Sequence, residues 1–440
     1  MRIAVVGTGI AGLGAAWLLQ RQHAVTLYER NDYAGGHSHT LEAMTASGAV
    51  PVDTGFMVFN RRNYPLLTGL FRHLGVATQK TDMSFAVSIG NGALEYAGSG
   101  LATLFAQPRN WFSATHYRML AEILRFNREA KAQLQDGAPG NLTLAEFLER
   151  GGYSSAFRNR YLLPMAAAIW SCPLQTMAGF PALSLFRFFY NHGLLDIRNR
   201  PQWYTVSGGS RRYVQRMLAD LEGSILQQRP VLSVERTGNG IAVGDASGER
   251  RHFDAVVMAA HADETLQMLA NPTAQEQALL SRFSYQPNQV YLHTDTDLMP
   301  RRRRVWSSWN YLAREEAGRT QAVSVSYWMN RLQGLHSAAP LFVSLNPLQP
   351  PAAASVIAEM TYDHPVFDSG AMQAQQALPG LQGVGGIWYC GSYFGYGFHE
   401  DALQSAVTVA RHLGVEAPWL KDREPVQDAA LQPRPAWAGT

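Results

Sequence analysis

Hydrophobic and polar positions follow two different patterns at the start of the chain. Two short apolar runs, Ile3–Val6 and Ala24–Tyr28, have the length and composition of buried strands. Between them the apolar residues recur at helical spacing, as at Leu13, Ala16 and Trp17. This order predicts a strand, a helix and a second strand, which is the unit that builds parallel sheets.

The middle of the chain changes to a mainly helical pattern. Residues 61–200 are predicted to be mostly helical, and the clearest periods give three helices: Arg61–Leu74, Trp111–Gln133 and Leu144–Arg150. The third of these has Thr143 before it and Glu146 in its first turn, which is the spacing of a capping box.

Strand patterns return after residue 203. A helix that ends at about Leu221 precedes three predicted strands: Pro230–Glu235, Ile241–Asp245 and Asp254–Ala259. Residues 285–345 alternate aromatic and polar positions, as in a sheet. An apolar strand around Trp388 then leads into a glycine-rich turn and a last helix.

We therefore predict an α/β fold with two domains. A discontinuous, Rossmann-like nucleotide-binding domain comprises residues 1–60, 203–282 and 380–418. An α+β substrate domain, residues 61–202 and 283–379, is inserted into it. Residues 419–440 are polar and contain prolines, and we expect them to form a loosely held tail.

The turn between the first strand and the first helix has the sequence GTGIAG, residues 7–12. Gly7 allows a tight turn, and Gly9 allows the backbone to approach a pyrophosphate. Gly12 and Gly14 allow the helix to pack closely on the strands. With a strand before it and a helix after it, this motif predicts a dinucleotide site.

Two further features agree with a dinucleotide. The helix starts near Ile10 and Ala11, and free N–H groups at a helix N-terminus attract phosphates. Glu29 ends the second strand, where its carboxylate can accept both ribose hydroxyls and would repel a 2′-phosphate. The motif therefore argues against NADP, and it leaves the choice between NAD and FAD open.

Composition limits the remaining possibilities. The chain has 440 residues, of which 46% are hydrophobic and 16% charged, so it can bury two sizeable cores. A net charge of +3 gives no argument for nucleic-acid binding. Two cysteines, Cys172 and Cys390, are too few for a disulfide framework, and no metal-ligand spacing is present.

The sequence also favours a soluble protein. The first strand begins at residue 2, and the longest apolar run, Tyr161–Trp170, is shorter than a membrane span and contains Pro164. We therefore expect a cytoplasmic protein without a signal peptide. Peripheral membrane contact stays open.

A second strand–turn–helix signature occupies Trp388–Ala402. Two helix N-termini aimed at one ligand suit a long cofactor such as FAD. With this segment the chain resembles the flavin-containing amine oxidase superfamily, which includes monoamine oxidases, phytoene desaturases and a fatty acid isomerase. The resemblance implies an amine oxidase-like fold with FAD. It also implies non-covalent binding, because Cys390 does not match the cysteine that attaches flavin in monoamine oxidases.

The resemblance carries over to individual positions. Glu29-Arg30 and Gly35-Gly36-His37 resemble the family's Glu-Arg and Gly-Gly-Arg stretches, with His37 in place of the usual arginine. The motif and the resemblance together assign these residues to the cofactor: Gly7, Gly9, Ile10, Ala11, Gly12, Glu29, Arg30, Gly35, Gly36, His37, Asp53, Thr54, Gly55, Phe56, Val231, Gly391, Phe398, His399, Glu400 and Ala402.

Several segments, such as Pro164–Ser171 and His364–Phe367, resemble more closely a bacterial group of NAD/FAD-binding oxidoreductases. Members of that group are often encoded beside cyclopropane fatty-acyl-phospholipid synthases. The resemblance implies a lipid or fatty-acyl substrate and a methyltransferase of that type as a partner. Homodimers are common among such relatives.

The chemistry is expected to reside in the flavin. No second glycine-rich dinucleotide motif is present, so we expect the substrate itself to reduce the flavin. The protein would align a C–H bond with the flavin and exclude water. No catalytic residue is assigned, and the candidates for the substrate pocket are aromatic or imidazole side chains: Trp170, Tyr327, Tyr393, Tyr396 and His399.

Two features suggest a lipid surface, although each also has an ordinary structural explanation. The run Arg301–Arg304 either forms a solvated loop or attracts anionic lipid headgroups. Similarly, residues 111–128 form either a helix packed on the core or one lying on a membrane.

Three functions remain at this point. The leading hypothesis is an FAD-dependent desaturase, saturase or double-bond isomerase of lipid acyl chains. The second is an oxygen-dependent amine oxidase, which Phe398 weakens because it stands where amine oxidases have a tyrosine and no second aromatic partner is evident. The third is a non-catalytic FAD-binding partner of a lipid methyltransferase.

Overall fold

The computed structural model describes residues 1–46, 48–135, 142–170, 174–196, 200–221, 224–316 and 319–420. Its twenty strands within these ranges are β1 (Arg2–Val6), β2 (Ala24–Tyr28), β3 (Thr40–Thr45), β4 (Gly48–Asp53), β5 (Phe59–Asn60), β6 (Thr78–Thr81), β7 (Phe85–Ile89), β8 (Leu94–Ala97), β9 (Trp203–Val206), β10 (Ile225–Leu226), β11 (Val231–Thr237), β12 (Gly240–Asp245), β13 (Arg250–Phe253), β14 (Ala255–Met258), β15 (Ser284–His293), β16 (Trp309–Glu316), β17 (Arg319–Trp328), β18 (Phe342–Leu345), β19 (Val356–Val366) and β20 (Ile387–Tyr389).

The α-helices of the same ranges are α1 (Ile10–Leu19), α2 (Pro65–His73), α3 (Leu101–Leu104), α4 (Ala114–Gln135), α5 (Leu144–Arg150), α6 (Ser155–Phe157), α7 (Leu163–Trp170), α8 (Leu174–Ala178), α9 (Ala182–Asn191), α10 (Arg211–Asp220), α11 (Ala262–Met268), α12 (Ala274–Leu280), α13 (Met329–Leu332), α14 (Ser369–Ala377) and α15 (His399–His412). None of them combines the length and the apolar character that crossing a bilayer requires.

A parallel sheet forms the nucleotide-binding side, with strand order β10-β2-β1-β14-β20. Ile3 pairs with Val25 on one side and with Ala255 on the other. Its central strands are almost continuously apolar because helices cover both of their faces. The sheet brings together segments from the beginning, middle and end of the chain, as a doubly wound fold does.

Helix α1 is apolar all round and completely buried. One side packs against the sheet and another against α15, in the same core cluster. A Cβ atom on Gly14 would lie 3.0 Å from Leu403 Cδ1, so this glycine allows α1 to approach α15. The sequence analysis assigned Gly14 to packing on the strands, and that assignment is wrong.

The other side of the molecule is built on a seven-stranded sheet with the order β19-β15-β18-β17-β16-β7-β8. Helices α4, α7 and α9 pack on one part of it through a separate aromatic core. Two small sheets, β3-β4 and β5-β9-β6, join this side to the nucleotide-binding side.

Several sequence predictions are confirmed in detail. The first strand–helix–strand unit lies within one residue of its predicted bounds. Helix α5 covers the predicted Leu144–Arg150, and the Thr143 side chain accepts from the Glu146 N–H in a complete capping box.

Other predictions are wrong for identifiable reasons. The helix predicted over Arg61–Leu74 begins only at Pro65, because a residue before proline avoids helical geometry. The helix predicted from Trp111 begins at Ala114, after a 3₁₀ turn over Pro108–Phe112.

The helical prediction for residues 61–200 also missed β6, β7 and β8, which are only four or five residues long. Residues 421–440 of the predicted tail lie outside the described residues, and so does Cys172. Trp419, which the tail prediction included, is buried against Trp17 with their ring centroids 5.7 Å apart.

Gly12→Ala tests how tightly the backbone crosses in the first turn. A Cβ at Gly12 would lie 1.8 Å from the carbonyl oxygen of Gly7, whereas a Cβ at Gly238 would meet nothing within 4 Å. We expect Gly12→Ala to lower the free energy of unfolding by about 3 kcal/mol or more, since neither backbone segment can move away without disturbing the packing around it. Urea denaturation measures the loss, and Gly238→Ala is the matched control. Equal stabilities of the two variants would contradict the described crossing.

Candidate functional site

One cavity of about 1310 Å³ runs between the parallel sheet and the seven-stranded sheet. Ligand pockets for a single small molecule usually measure about 300–1,000 Å³. At one end the cavity meets the carboxyl ends of β1, β2, β14 and β20, where α/β proteins bind their cofactors. The volume and the position suit a dinucleotide together with a second molecule.

The first glycine turn forms the floor of the nucleotide end. Gly7 has a φ of +104°, which only glycine adopts without strain, and a Cβ there would lie 2.9 Å from Ala259 O. At Gly9, a Cβ would meet nothing within 4 Å, so the space above this residue is open toward the cavity. The first N–H groups of α1 have no partner within the helix and lie beside this open space.

Glu29 lies at the end of β2 and is buried. Its Oε2 accepts hydrogen bonds from the N–H and hydroxyl of Thr8, and its Oε1 accepts from Asn31 N at 2.8 Å. The carboxylate therefore ties the glycine turn to β2 and also lines the cavity. Oε1 keeps a lone pair with which it could accept a ribose hydroxyl, whereas Thr8 occupies both acceptor sites of Oε2.

His37 lies where two further glycines bring the backbone together. Gly36 has a φ of +55°, and a Cβ on it would lie 3.1 Å from Gly9 Cα. A Cβ on Gly55 would lie only 2.2 Å from His37 O. The His37 loop is therefore held between the phosphate turn and the Gly55 segment.

The His37 side chain has one buried ring nitrogen without a hydrogen-bond partner. Its Nε2 is buried and has no hydrogen-bond partner, and its ring lies 4.9 Å from that of Tyr362 and 5.5 Å from that of His364. Burial lowers the pKa of His37 well below its ordinary value, and the neighbouring His364, His261 and His399 lower it further. A phosphate beside Nε2 would reverse this effect, because it stabilises the protonated ring.

The middle of the cavity is formed by the turn before α15. The His399 ring stacks on Phe56 with centroids 3.7 Å apart, and its Nε2 lies 2.9 Å from Ser38 Oγ. Burial lowers the pKa of His399 to about 3, so the ring is neutral at physiological pH. Asp401 accepts from the N–H groups of Tyr396 and Phe398 and fixes the turn.

An aromatic arm extends from the middle of the cavity across the seven-stranded sheet. Phe85, Trp309 and Tyr327 are register partners on the adjacent strands β7, β16 and β17, and all three line the cavity. The opposite wall comes from α7 and α9, where Trp170 and Phe188 have ring centroids 4.7 Å apart. We call this region the aromatic arm.

Charge inside the aromatic arm is largely compensated. The carboxylate of Asp82 pairs with Arg331 at 2.8 Å, and both side chains are partly exposed. His192 is neutral, since burial lowers its pKa to about 4. Trp309 Nε1 is buried and lacks a hydrogen-bond partner. The described lining of the arm thus offers a mainly apolar surface.

Most residues assigned to the cofactor line this cavity. They are Gly7, Gly9, Ile10, Ala11, Glu29, Arg30, Gly36, His37, Thr54, Gly55, Phe56, Val231, Gly391, Phe398, His399 and Ala402. The candidates for the substrate pocket, Trp170, Tyr327, Tyr393, Tyr396 and His399, line it as well.

Four assigned residues are not part of the lining: Gly12, Gly35, Asp53 and Glu400. Gly12 and Gly35 support the turns beneath it, since Gly35 N–H donates to Thr8 Oγ1. Asp53 accepts from Ser210 N at 2.8 Å and from Gln333 Nε2 at 2.8 Å. It therefore joins β4 to α10 and α13. Burial raises the pKa of Asp53 to about 6.

Glu400 also has a structural position. Its two carboxylate oxygens accept from the N–H groups of Leu66 and Leu67, at 2.7 Å and 3.0 Å, in the first turn of α2. A carboxylate in this position satisfies two free N–H groups and complements the helix dipole. This geometry supports a capping role for Glu400, which the sequence analysis assigned to the cofactor.

Sequence reasoning assigned no role to three side chains around His37. Tyr362 and His364 come from β19 and His261 follows β14, and all three line the cavity. They lie more than 200 residues from His37 in the chain, so only the strand pairing of the fold could have revealed them. The only local indication is the alternation along β19, which places Tyr362 and His364 on the same face of the strand.

The residues present fit FAD. The nucleotide end has a glycine turn, a helix N-terminus, a ribose-binding carboxylate and an unpaired ring nitrogen, His37 Nε2. The Gly391 turn and the start of α15 add a second helix N-terminus along the same cavity. No group of histidine, cysteine or carboxylate side chains among the described residues is arranged to hold a metal ion.

Comparisons with known proteins agree with this geometry. The family model for flavin containing amine oxidoreductases matches residues 10–335. A protein of Mycobacterium tuberculosis named "Putative flavin-containing monoamine oxidase AofH" is 27% identical over 259 residues, which are 56% of this chain and 54% of that protein. A carotenoid phi-ring synthase of Streptomyces griseus is 29% identical over 283 residues, 58% of this chain and 52% of that protein.

The chain therefore spans about half the length of the curated relatives it matches. Among solved structures, a CLA-producing fatty acid isomerase from P. acnes superposes with a TM-score of 0.66 at 15% identity. That match covers 93% of this chain and 98% of the isomerase, and it shows a shared fold.

Substitution of His37 should change how FAD affinity depends on pH. The free protein holds His37 neutral, and the pyrophosphate favours its protonated form, so binding takes up a proton. We expect FAD to bind more tightly as the pH falls from about 8 to about 6. His37→Gln should weaken binding about tenfold or more, since a charge-assisted hydrogen bond is lost.

His37→Arg is the matched control, because arginine keeps its charge throughout this range. It should bind FAD tightly with a flatter pH dependence. Fluorescence titration of the apoprotein measures both effects. A His37→Gln variant with the affinity and pH profile of the wild type would show that His37 is not near the phosphates.

Glu400→Ala should separate helix capping from cofactor binding. Loss of the cap on α2 should lower the free energy of unfolding by about 1 kcal/mol. The FAD content of the purified protein should not change, because Glu400 lies outside the cavity lining. Urea denaturation and flavin absorbance measure the two quantities. A loss of FAD at unchanged stability would assign Glu400 to the cofactor instead.

Proposed function

The chain belongs to the flavin containing amine oxidoreductase family, and from that membership we propose that it is an FAD-dependent oxidoreductase acting on the acyl chain of a lipid. When bound, the flavin would supply the hydride chemistry. The protein's own residues bind the cofactor, orient the substrate and exclude water.

The aromatic arm is the observation that carries the proposal. Its described walls are mainly aromatic and aliphatic side chains from β7, β16, β17, α7 and α9. An elongated apolar chain gains the most free energy in such a channel, at about 25 cal/mol per Å² of apolar surface buried.

The pairing of charged side chains in the aromatic arm also favours an uncharged substrate. An ammonium group inside the arm would need a carboxylate or a cluster of oxygen atoms to replace its hydration. Asp82 is already paired with Arg331, and it lies in a partly exposed position. The described arm therefore suits an uncharged chain better than a buried cation.

Positioning of the substrate would rest on the stacked residues between the arm and the flavin. Phe398 stacks on Phe188 at 5.1 Å, and Trp170 donates its indole N–H to Tyr396 O. These contacts hold the rings in fixed orientations, so they can keep a C–H bond aligned without an acid or a base. Such chemistry accommodates a desaturase or a double-bond isomerase, and also a saturase when an external hydride donor has first reduced the flavin.

Amine oxidation is the second candidate, and it draws support from the name of the mycobacterial relative. Aromatic rings such as Phe398 and Phe188 can also steer an amine that is neutral. A methyltransferase of the cyclopropane synthase type stays an expectation about a partner, and homodimer formation stays one as well.

Anaerobic reduction of the flavin separates the two candidates. The purified FAD-loaded protein is mixed without oxygen with detergent-dispersed bacterial phospholipids, free fatty acids or a panel of mono- and polyamines. We expect loss of flavin absorbance, or a shifted double bond in the recovered lipid by mass spectrometry, with the acyl lipids alone. Bleaching by an amine and an unchanged lipid would overturn the proposal.

Ile169→Glu sharpens this experiment. Ile169 lines the arm on α7, and a carboxylate there opposes an acyl chain but attracts an ammonium. Lipid conversion should fall about tenfold or more, whereas Met44→Glu on the exposed β3–β4 hairpin should leave it unchanged. A variant that turns over lipids at the normal rate would show that the chain does not enter the arm.

A further inference from the structure

Large hydrophobic side chains are exposed at one place far more than elsewhere. Ten such residues are exposed in the described part of the chain, and five of them lie within residues 101–124. We call these five the apolar patch: Leu101, Trp111, Phe112, Tyr117 and Leu124. Phe112 is 91% exposed and Leu101 71%, which is costly for a protein that meets only water.

The apolar patch is one continuous surface. Phe105 is buried at its centre, with the ring of Trp111 stacked on it at 4.2 Å and that of Tyr117 at 5.6 Å. Leu101 starts the same short helix that Phe105 terminates. Leu124 follows Tyr117 by seven residues on α4, which places both on one helix face.

The charge around the apolar patch is positive. Residues 96–121 contain no aspartate or glutamate, while Arg109 and Arg118 are exposed. Glu122 is the next acidic residue along the chain, and its carboxylate is largely buried and bonded to Ser154 and Arg118. An anionic partner therefore meets no like charge from this segment.

The arginine run at 301–304 joins this surface. Gly92 O accepts from Gln107 Nε2 at 3.1 Å and from Arg302 Nη1 at 3.2 Å. Val305, Ala97 and Ala106 pack in one small buried cluster beside it. Arg303 and Arg304 are exposed, and within the described residues neither takes part in an ion pair.

The entrance of the aromatic arm lies next to the apolar patch. Gly98 and Ser99 both line the cavity and are exposed, so the cavity reaches the surface there. Only Gly100 separates them from Leu101. Arg200 and Gln202, also exposed, line the cavity as well.

We propose that the apolar patch and the surrounding arginines dock this protein on an anionic phospholipid bilayer, with the entrance of the aromatic arm facing the lipid. This inference rests on the proposed function, because it names the source from which the arm receives its acyl chain. Aromatic and aliphatic tips enter the interface between headgroups and acyl chains, and the arginines contact the phosphates.

A second copy of the chain fits the same surface less well. Symmetric contact through one patch would bring Arg109 and the 301–304 run of both copies close together. Like charges at an interface oppose association, whereas anionic headgroups neutralise them. The arginines and the absence of acidic side chains from 96–121 thus favour lipid.

Vesicle sedimentation of the FAD-loaded protein tests the proposal. We expect binding to phosphatidylcholine vesicles with about one third phosphatidylglycerol, and weak binding to phosphatidylcholine alone. Raising the salt from about 0.1 M to about 1 M should weaken binding, because it shortens the screening length from about 10 Å to about 3 Å.

The double variant Leu101→Ser/Phe112→Ser should reduce the bound fraction about tenfold or more. These side chains are 71% and 91% exposed, so its unfolding midpoint should match the wild type. Met44→Ser, which removes a side chain that is 77% exposed on the β3–β4 hairpin, is the matched control. Arg303→Glu/Arg304→Glu should abolish the preference for anionic vesicles.

Three results would overturn the proposal: no binding of the wild type to any vesicle, equal binding of the double variant, or a dimer in sedimentation velocity that the double variant dissociates. Conversion of detergent-dispersed lipid is measured in parallel. If the wild type converts dispersed lipid but ignores vesicles, the docking inference fails and the proposed function stands. If it binds vesicles through the apolar patch but converts no lipid, the docking inference stands and the proposed function fails.

Discussion

The close approach of backbone segments at a set of glycines is the constraint on which the rest of the structure depends. The turn at Gly7 passes against Ala259, Gly12 passes against Gly7, and Gly36 lies against Gly9. Gly55 lies against His37 in the same way. Because no side chain stands between these segments, the phosphate turn, the His37 loop and Phe56 line one narrow cavity. Any Cβ at Gly12 or Gly55 would move one of them.

Carboxylates hold the surrounding elements in place. Glu29 fixes the phosphate turn on β2, Asp53 joins the β3–β4 hairpin to α10 and α13, and Glu400 caps α2. Asp401 fixes the turn before α15. These contacts link the parallel sheet to the seven-stranded sheet, and the cavity lies between the two. The turns that line the cavity and the sheet that carries the aromatic arm are therefore joined through these contacts.

Local patterns were sufficient for the nucleotide end, because each of its features is close in sequence to the next. The strands around Ile3 and Val25, the turn at residues 7–12 and the capping box at Thr143 all follow from short-range rules. By contrast, the short strand β6 carries little periodic signal, and its pairing with β9 spans more than 100 residues.

The histidines around His37 and the register of Phe85 with Trp309 and Tyr327 depend on such long-range pairing. Residue types alone could not show them. Asp53 and Glu400 illustrate the opposite case, since the family resemblance placed them at the cofactor whereas their hydrogen bonds serve the fold. The exposed fraction of the apolar side chains on α4 likewise could not be predicted from residue type. Met119 and Phe126 are buried, whereas Leu124 on the same helix is exposed.

The most direct test is a crystal structure of the FAD-loaded protein with a fatty acid that carries bromine near the end of its chain. The account predicts electron density for the dinucleotide along the turn at residues 7–12 and past His37. It also predicts an anomalous bromine signal in the aromatic arm between Trp170 and Trp309. A bromine signal confined to the surface, or flavin density filling the aromatic arm, would contradict the assignment of the cavity to a cofactor and an acyl chain.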